Sequence, residues 1–310
     1  MTKVGILYIC TGQYVVFWPE FYRTFREKFL PGCEKTFFVF TDAPAIEGEN
    51  AGDVRRIPQK ALDWPYSSLL RFRMFCSQKE ALSRMDYLFF ANANLVCLEP
   101  ITEAEFLPRA DRGERLLVVQ QPGFWDKRPI FYSYDRNPRC RAYIPYNCGR
   151  AYVSGGLNGG TAQAFLAMSE ELARRTDADL ADGQMPLWHD ESQLNRYIAE
   201  QDPAAYRLLT PAYWYPEGWQ MPFPQKIRVL DKNRRIDMAA VKGSRLPRSL
   251  LQRKWGAFRH MWGPGVGLAG DPRRGRPLYR APRGRRRRGR AGAPGLYRGA
   301  KPPIIKTPDH

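Results

Sequence analysis

Five consecutive residues, Trp188, His189, Asp190, Glu191 and Ser192, set an aromatic ring, an imidazole and two carboxylates directly before an amphipathic stretch. A carboxylate so placed can balance a developing positive charge or take a proton. The same residues also read as a plain helix start, with Asp190 or Ser192 as the cap. Upstream, the apolar run Tyr87–Val96 carries Asn92 and Asn94 two positions apart. Side chains i and i+2 of a strand share a face, so both amides could meet one ligand, although Asn is equally at home in a turn that ends a strand. Amides are neutral and supply no hard anionic oxygen for Mg²⁺ or Mn²⁺, so no divalent metal is expected there. The run VSGGLNGG, Val153 to Gly160, reads as a glycine loop that lets a ligand approach the backbone and its free amides. His189 is the only histidine ahead of the C-terminal tail, which excludes a zinc site built from several histidines.

The elements that must carry these groups alternate. KVGILYI (Lys3–Ile9) and TFFVFTD (Thr36–Asp42) read as strands, and the stretch around Phe17–Leu30 between them has helical spacing. Ser67–Met85 reads as one further helix capped by Ser67 or Ser68, followed by the strand at Tyr87 and another at Glu114–Gln121. A long helix after the glycine run and a shorter one over Asp190–Glu200 complete the series. Strand and helix in alternation predict an α/β sandwich with a largely parallel central sheet, whose ligands collect at the carboxyl ends of its strands.

Charge is distributed unevenly. The 310 residues carry a net charge of +18, yet Gly243–His310 alone holds 18 Lys or Arg against two Asp, which leaves the rest nearly neutral. The chain therefore divides into a domain over 1–237 and a basic Arg/Gly/Pro-rich tail over 238–310, expected to be disordered because it has little apolar surface to bury. Such a tail suits anionic membrane lipids or other polyanions, and specific nucleic-acid binding is not expected of it. Six cysteines without a CxxC pair read as reduced thiols. With neither a signal peptide nor a membrane-spanning run, the expectation is a cytoplasmic protein, free or peripheral at the inner face of the membrane.

Taken in order and spacing, YICTGQY, DYLFFANAN, QPGFW, YIPYNCGRAYVSGGLNGG, WHDESQLNRYI and PAYWYPEGWQMPFPQKIRVLDKN resemble glycosyltransferase family six. This is the family of the blood-group A and B transferases and the α1,3-galactosyltransferase, and the likeness is greatest to its bacterial, metal-independent members. It spans roughly Lys3 to Arg235. The resemblance implies a single-domain GT-A fold with a Rossmann-like nucleotide-sugar site and a mixed central sheet. It also implies a UDP-sugar donor, a galactoside acceptor that is often fucosylated, and α1,3 transfer with retention of configuration.

Residue by residue, the resemblance assigns Ile9, Cys10, Thr11 and Tyr14 to uracil and ribose, and Arg71, Asn92, Asn94, Asp190 and Lys232 to the rest of the donor. Asn92 and Asn94 stand where animal members carry metal-binding aspartates. Gln121, Ser133, Trp188 and His189 fall at acceptor positions, with Gln121 in place of the usual histidine. Glu191 matches the catalytic carboxylate. Ser154, Gly155 and Gly156 match the positions that sense carbon 2 of the donor sugar, where a glycine without Cβ leaves room for an acetamido group. The reading is thus UDP-N-acetylgalactosamine transfer without a metal or other cofactor. Its alternatives are a UDP-galactose-dependent galactosyltransferase and a noncatalytic sugar-binding module.

Overall fold

Most of the inner strands form where apolar residues run unbroken, because both faces of the sheet are covered and no alternation with polar residues is needed. The computed structural model describes residues 1–146 and 148–243. Its strands are β1 (Lys3–Ile9), β2 (Glu34–Thr41), β3 (Val54–Pro58), β4 (Tyr87–Ala91), β5 (Leu95–Cys97), β6 (Leu116–Gln120), β7 (Val153–Thr161), β8 (Tyr206–Leu209), β9 (Tyr215–Pro216) and β10 (Ile227–Val229). The α-helices are α1 (Trp18–Lys28), α2 (Tyr66–Leu69), α3 (Arg71–Cys76), α4 (Lys79–Leu82), α5 (Glu103–Phe106), α6 (Ala162–Ala181), α7 (Asp190–Ala199) and α8 (Met238–Val241).

Seven strands make one sheet in the order β3-β2-β1-β4-β7-β6-β8, and β5, β10 and β9 make a second, smaller one. All pairings in the large sheet are parallel except those of β7, which runs antiparallel to both neighbours. The expected mixed α/β architecture is therefore present. Period-two alternation along β2 sends Phe37 and Val39 to one face and Phe38 and Phe40 to the other. On the first face they meet Phe21 and Phe25 of α1; on the second they meet Phe72 and Phe75 of α3 and Phe165 of α6.

Two sequence readings need correction. The helix expected over Ser67–Met85 is three short helices, because Leu70 and Gln78 sit at φ, ψ of −95°, 9° and −111°, 17°, outside the helical region. Ser67 and Ser68 lie inside α2 and cap nothing. The second correction is larger: VSGGLNGG is no loop but most of β7, an inner strand. Glycine is required in it because neighbours crowd the backbone. A Cβ on Gly159 would stand 2.1 Å from the Phe89 ring, and one on Gly156 would stand 2.0 Å from the Trp214 ring.

The division placed after Asp237 falls at the start of α8, where Asp237 accepts hydrogen bonds from the amides of Ala239 and Ala240. Met238–Val241, at the head of the expected tail, is helical, whereas the disorder and polyanion contacts expected of the remainder concern residues outside those described. Among the described residues no helix is long and apolar enough to cross a membrane.

Candidate active site

A cleft of about 700 Å³ opens where β1, β4 and β6 end, between the first half of β7 and the start of α7. Ile9, Thr11, Tyr14, Arg71, Asn92, Gln121, Ser133, Ser154, Gly155, Gly156, Trp188, Asp190, Glu191 and Lys232 all line it. Residues far apart in the chain are thus gathered at the carboxyl ends of the strands, where open α/β sheets bind ligands. Cys10, Asn94 and His189 were also expected there and do not line it.

Glu191 is held from two sides. Its Oε1 accepts from the Tyr152 hydroxyl at 2.9 Å and its Oε2 from the Gly155 amide at 2.8 Å. Burial pushes its carboxyl up to about 7, a rise that these two hydrogen bonds oppose. One turn further along α7, Asn195 accepts from the Val153 amide and donates to the Val153 carbonyl, both at 2.9 Å. No side chain caps α7; the Ser192 hydroxyl instead accepts from the Trp188 amide, and the N-cap residue is His189. His189 has φ 53° and ψ −123°, a strained backbone for a residue with a Cβ, immediately before the two carboxylates.

Asp190 is buried and paired with Arg71, the first residue of α3. The Arg71 guanidinium stacks on Phe72 and Phe90, 4.7 and 4.4 Å from the ring centroids. Its Nε and Nη2 find no protein acceptor. Burial raises the Asp190 carboxyl, and Arg71 counteracts that rise. Lys232 lies over the Tyr14 ring at 5.1 Å, and desolvation, with Lys242 nearby, brings its ammonium down to about 8. The cleft therefore carries one buried ion pair and the Lys232 ammonium.

Gln121, Ser133 and Trp188 line the same cleft. The Gln121 side-chain carbonyl accepts from the Gly123 amide at 2.5 Å, so its NH₂ is the part left for a ligand. Ser133 Oγ is buried without a protein partner. His189 packs edge-on against Trp64 instead of reaching the cleft wall, and burial lowers its pKa.

The two asparagines do not share one strand face. The chain leaves β4 at Ala91, and both lie in the turn before β5, with Asn92 on the wall and Asn94 buried beneath it. Asn92 donates to Asn94 Oδ1 at 3.1 Å, and Asn94 donates to the Leu230 carbonyl at 2.6 Å. Asn94 is thus a clip that holds the approach to Lys232. Where animal members of the resembled family carry metal-binding aspartates, the donor set here is two neutral amides, one of them already committed, and it does not fit Mg²⁺ or Mn²⁺. Among the described residues no three His, Cys, Asp or Glu side chains converge to hold an ion. Cys10 is fully buried, and burial pushes its thiol up to about 12. Gly156 opens no vacant space, because the Trp214 ring occupies it.

Sequence reasoning missed Tyr152, Trp214 and Asn195. Trp214 stood within a dense aromatic run that could have flagged it. Tyr152 and Asn195 carry no local signal, since their roles exist only through contact with Glu191 and Val153.

Residues 1–240 match the model of glycosyltransferase family 6. The chain belongs to glycosyltransferase family 6. It is 32% identical over 231 residues to the O-antigen biosynthesis glycosyltransferase WbnI of Escherichia coli, covering 74% of this chain and 95% of that one. It is 28% identical over 228 residues to rat histo-blood group ABO system transferase 2, covering 70% of this chain and 66% of that one. With human globoside alpha-1,3-N-acetylgalactosaminyltransferase 1 the identity is 25% over 240 residues, covering 74% and 67%. The mixed seven-stranded sheet is thus that of a GT-A fold, and the family 6 chain is a hexosyltransferase with a nucleotide-sugar donor and a glycan acceptor.

Proposed function

We propose that this enzyme is a retaining α1,3-N-acetylgalactosaminyltransferase that moves the sugar of UDP-N-acetylgalactosamine to a galactoside acceptor without a divalent metal. The observation that carries the reading is Glu191, fixed by Tyr152 and Gly155 in a cleft that also holds Lys232, the Arg71–Asp190 pair and the neutral polar groups of Asn92, Gln121 and Ser133. A carboxylate opposite a departing diphosphate supplies the negative charge that an oxocarbenium-like transition state requires. Lys232 and the Asn92 amide stabilise charge on the leaving UDP, and the free guanidinium donors of Arg71 orient the donor sugar. Gln121, Ser133 and Trp188 receive the acceptor. The choice of donor sugar is supported by family relatives named as N-acetylgalactosaminyltransferases.

One observation favours UDP-galactose as a second reading, namely the Trp214 ring against Gly156, which takes up the space a larger 2-substituent would use. Competition between the two donors for a β-galactoside decides between them. The reaction itself is tested by Glu191→Gln, which keeps size and removes charge. UDP release from donor and acceptor should fall by orders of magnitude with the fold unchanged, and near-normal turnover would remove Glu191 from the centre of the reaction.

A further inference from the structure

The last pair joining β4 to β7 is Ala91 with Leu157, and the Asn92 amide reaches the Gly156 carbonyl just beyond it. Past that point β4 has turned away, yet β7 continues back to Val153. Its backbone groups there are taken up by side chains of α7. Glu191 accepts from the Gly155 amide, and Asn195 accepts from the Val153 amide and donates to its carbonyl. The spacing matches on both sides: residues four apart share a helix face, and residues two apart share one edge of a strand. Asn195 Nδ2 also donates to the Glu191 carbonyl at 2.9 Å, tying the two helix residues together.

We propose that Asn195 is a positioning residue for Glu191, and that the two side chains together replace the strand that β4 no longer provides beside β7. The proposal rests on the reading of Glu191 as the central carboxylate. A carboxylate on a helix start can slide along the sheet edge unless a second point fixes the register. Asn195 is that second point, and it is buried, with 2% of its surface exposed. Its amide presents an acceptor and a donor side by side, which matches the N–H and C=O of one residue as a strand would. Without it, α7 is held to β7 at this edge by the Glu191 contact alone, and the carboxylate loses its fixed place above Gly155 and beside Tyr152.

The test is a double-mutant cycle on the full chain, with Asn195→Ala and Asn195→Asp each made alone and with Glu191→Gln. Asn195→Asp keeps the acceptor and deletes the donor. Either single change should lower kcat by roughly 100-fold, the cost of about an ångström of misplacement, while the KM for the UDP-sugar moves little. The acid limb of the kcat–pH profile should shift upward, because weaker hydrogen bonds to the carboxylate favour its protonated form. In the Glu191→Gln background the added loss should shrink to no more than roughly two-fold, since there is no carboxylate left to place. An equal loss in both backgrounds, or an unmoved acid limb, overturns the proposal. Near-normal turnover by Glu191→Gln itself would refute the underlying reading instead. Should neither Asn195 variant give a cooperative thermal unfolding transition, Asn195 is a folding residue and the proposal fails.

Discussion

Arg71 Nη1 lies 2.8 Å from Asp190 Oδ2, and the two side chains are only 5% and 9% exposed. The pair joins the start of α3 to the start of α7 at the floor of the cleft. Removing one member strands the other charge in a poorly solvated place, so Asp190→Asn should destabilise by about 3–5 kcal/mol. Adding Arg71→Met should recover part of that loss, although activity should not return. Urea unfolding of the single and double variants measures both outcomes.

Titration should confine activity to a narrow range. Glu191 must be ionised to act, so kcat/KM should fall as pH drops through about 7. Lys232 loses its charge as pH rises through about 8, and donor affinity should weaken there. Stability has its own dependence. The Glu191 carboxyl titrates at about 7 when folded against an ordinary 4.5, so between those values the folded state holds more protons and stability falls as pH rises. Glu191→Gln removes that dependence, so at pH 8 the inactive variant should melt at a higher temperature than the wild type. A melting temperature lower than wild type would contradict the burial argument.

The Trp214 ring beside Gly156 gives a test of donor selection. Because a Cβ on Gly156 would sit 2.0 Å from its ring, Gly156→Ala should displace the indole before it alters the sugar pocket directly. The variant should show a shifted tryptophan emission spectrum together with a changed kcat/KM ratio between UDP-N-acetylgalactosamine and UDP-galactose. A changed ratio with an unmoved spectrum would mean that the glycine contacts the sugar itself.

Metal dependence gives a direct check on the asparagine turn. With Asn92 and Asn94 neutral and Asn94 engaged with Leu230, UDP release should survive EDTA and gain little from added Mn²⁺. In contrast, Asn94→Ala should raise the KM for the UDP-sugar several-fold by freeing the segment before Lys232, since one buried hydrogen bond contributes about 1 kcal/mol. A strict Mn²⁺ requirement would mean that other side chains gather an ion when the donor binds.

What the sequence disclosed depended on whether a residue's role is local. Trp188, Asp190 and Glu191 were legible because they sit together before a periodic stretch, and the strand-helix alternation announced the sheet. VSGGLNGG misled because glycine normally weakens strands, and only the crowding by Phe89 and Trp214 explains its place in β7. Asn94 misled because spacing was read as a straight strand, whereas the chain turns after Ala91. Tyr152 and Asn195 were silent, since a hydrogen bond across 39 or 42 positions leaves no pattern in a single sequence.

The side chains of α7 along β7 also bear on the protein's solution behaviour. A strand whose N–H and C=O groups lack partners is a template on which another chain can add, and proteins block such edges to avoid aggregation. Here the edge is blocked by Glu191 and Asn195. Truncating either side chain leaves N–H or C=O groups of β7 unpaired, so an opening of α7 away from the strand would then present a stretch of backbone on which another chain can add.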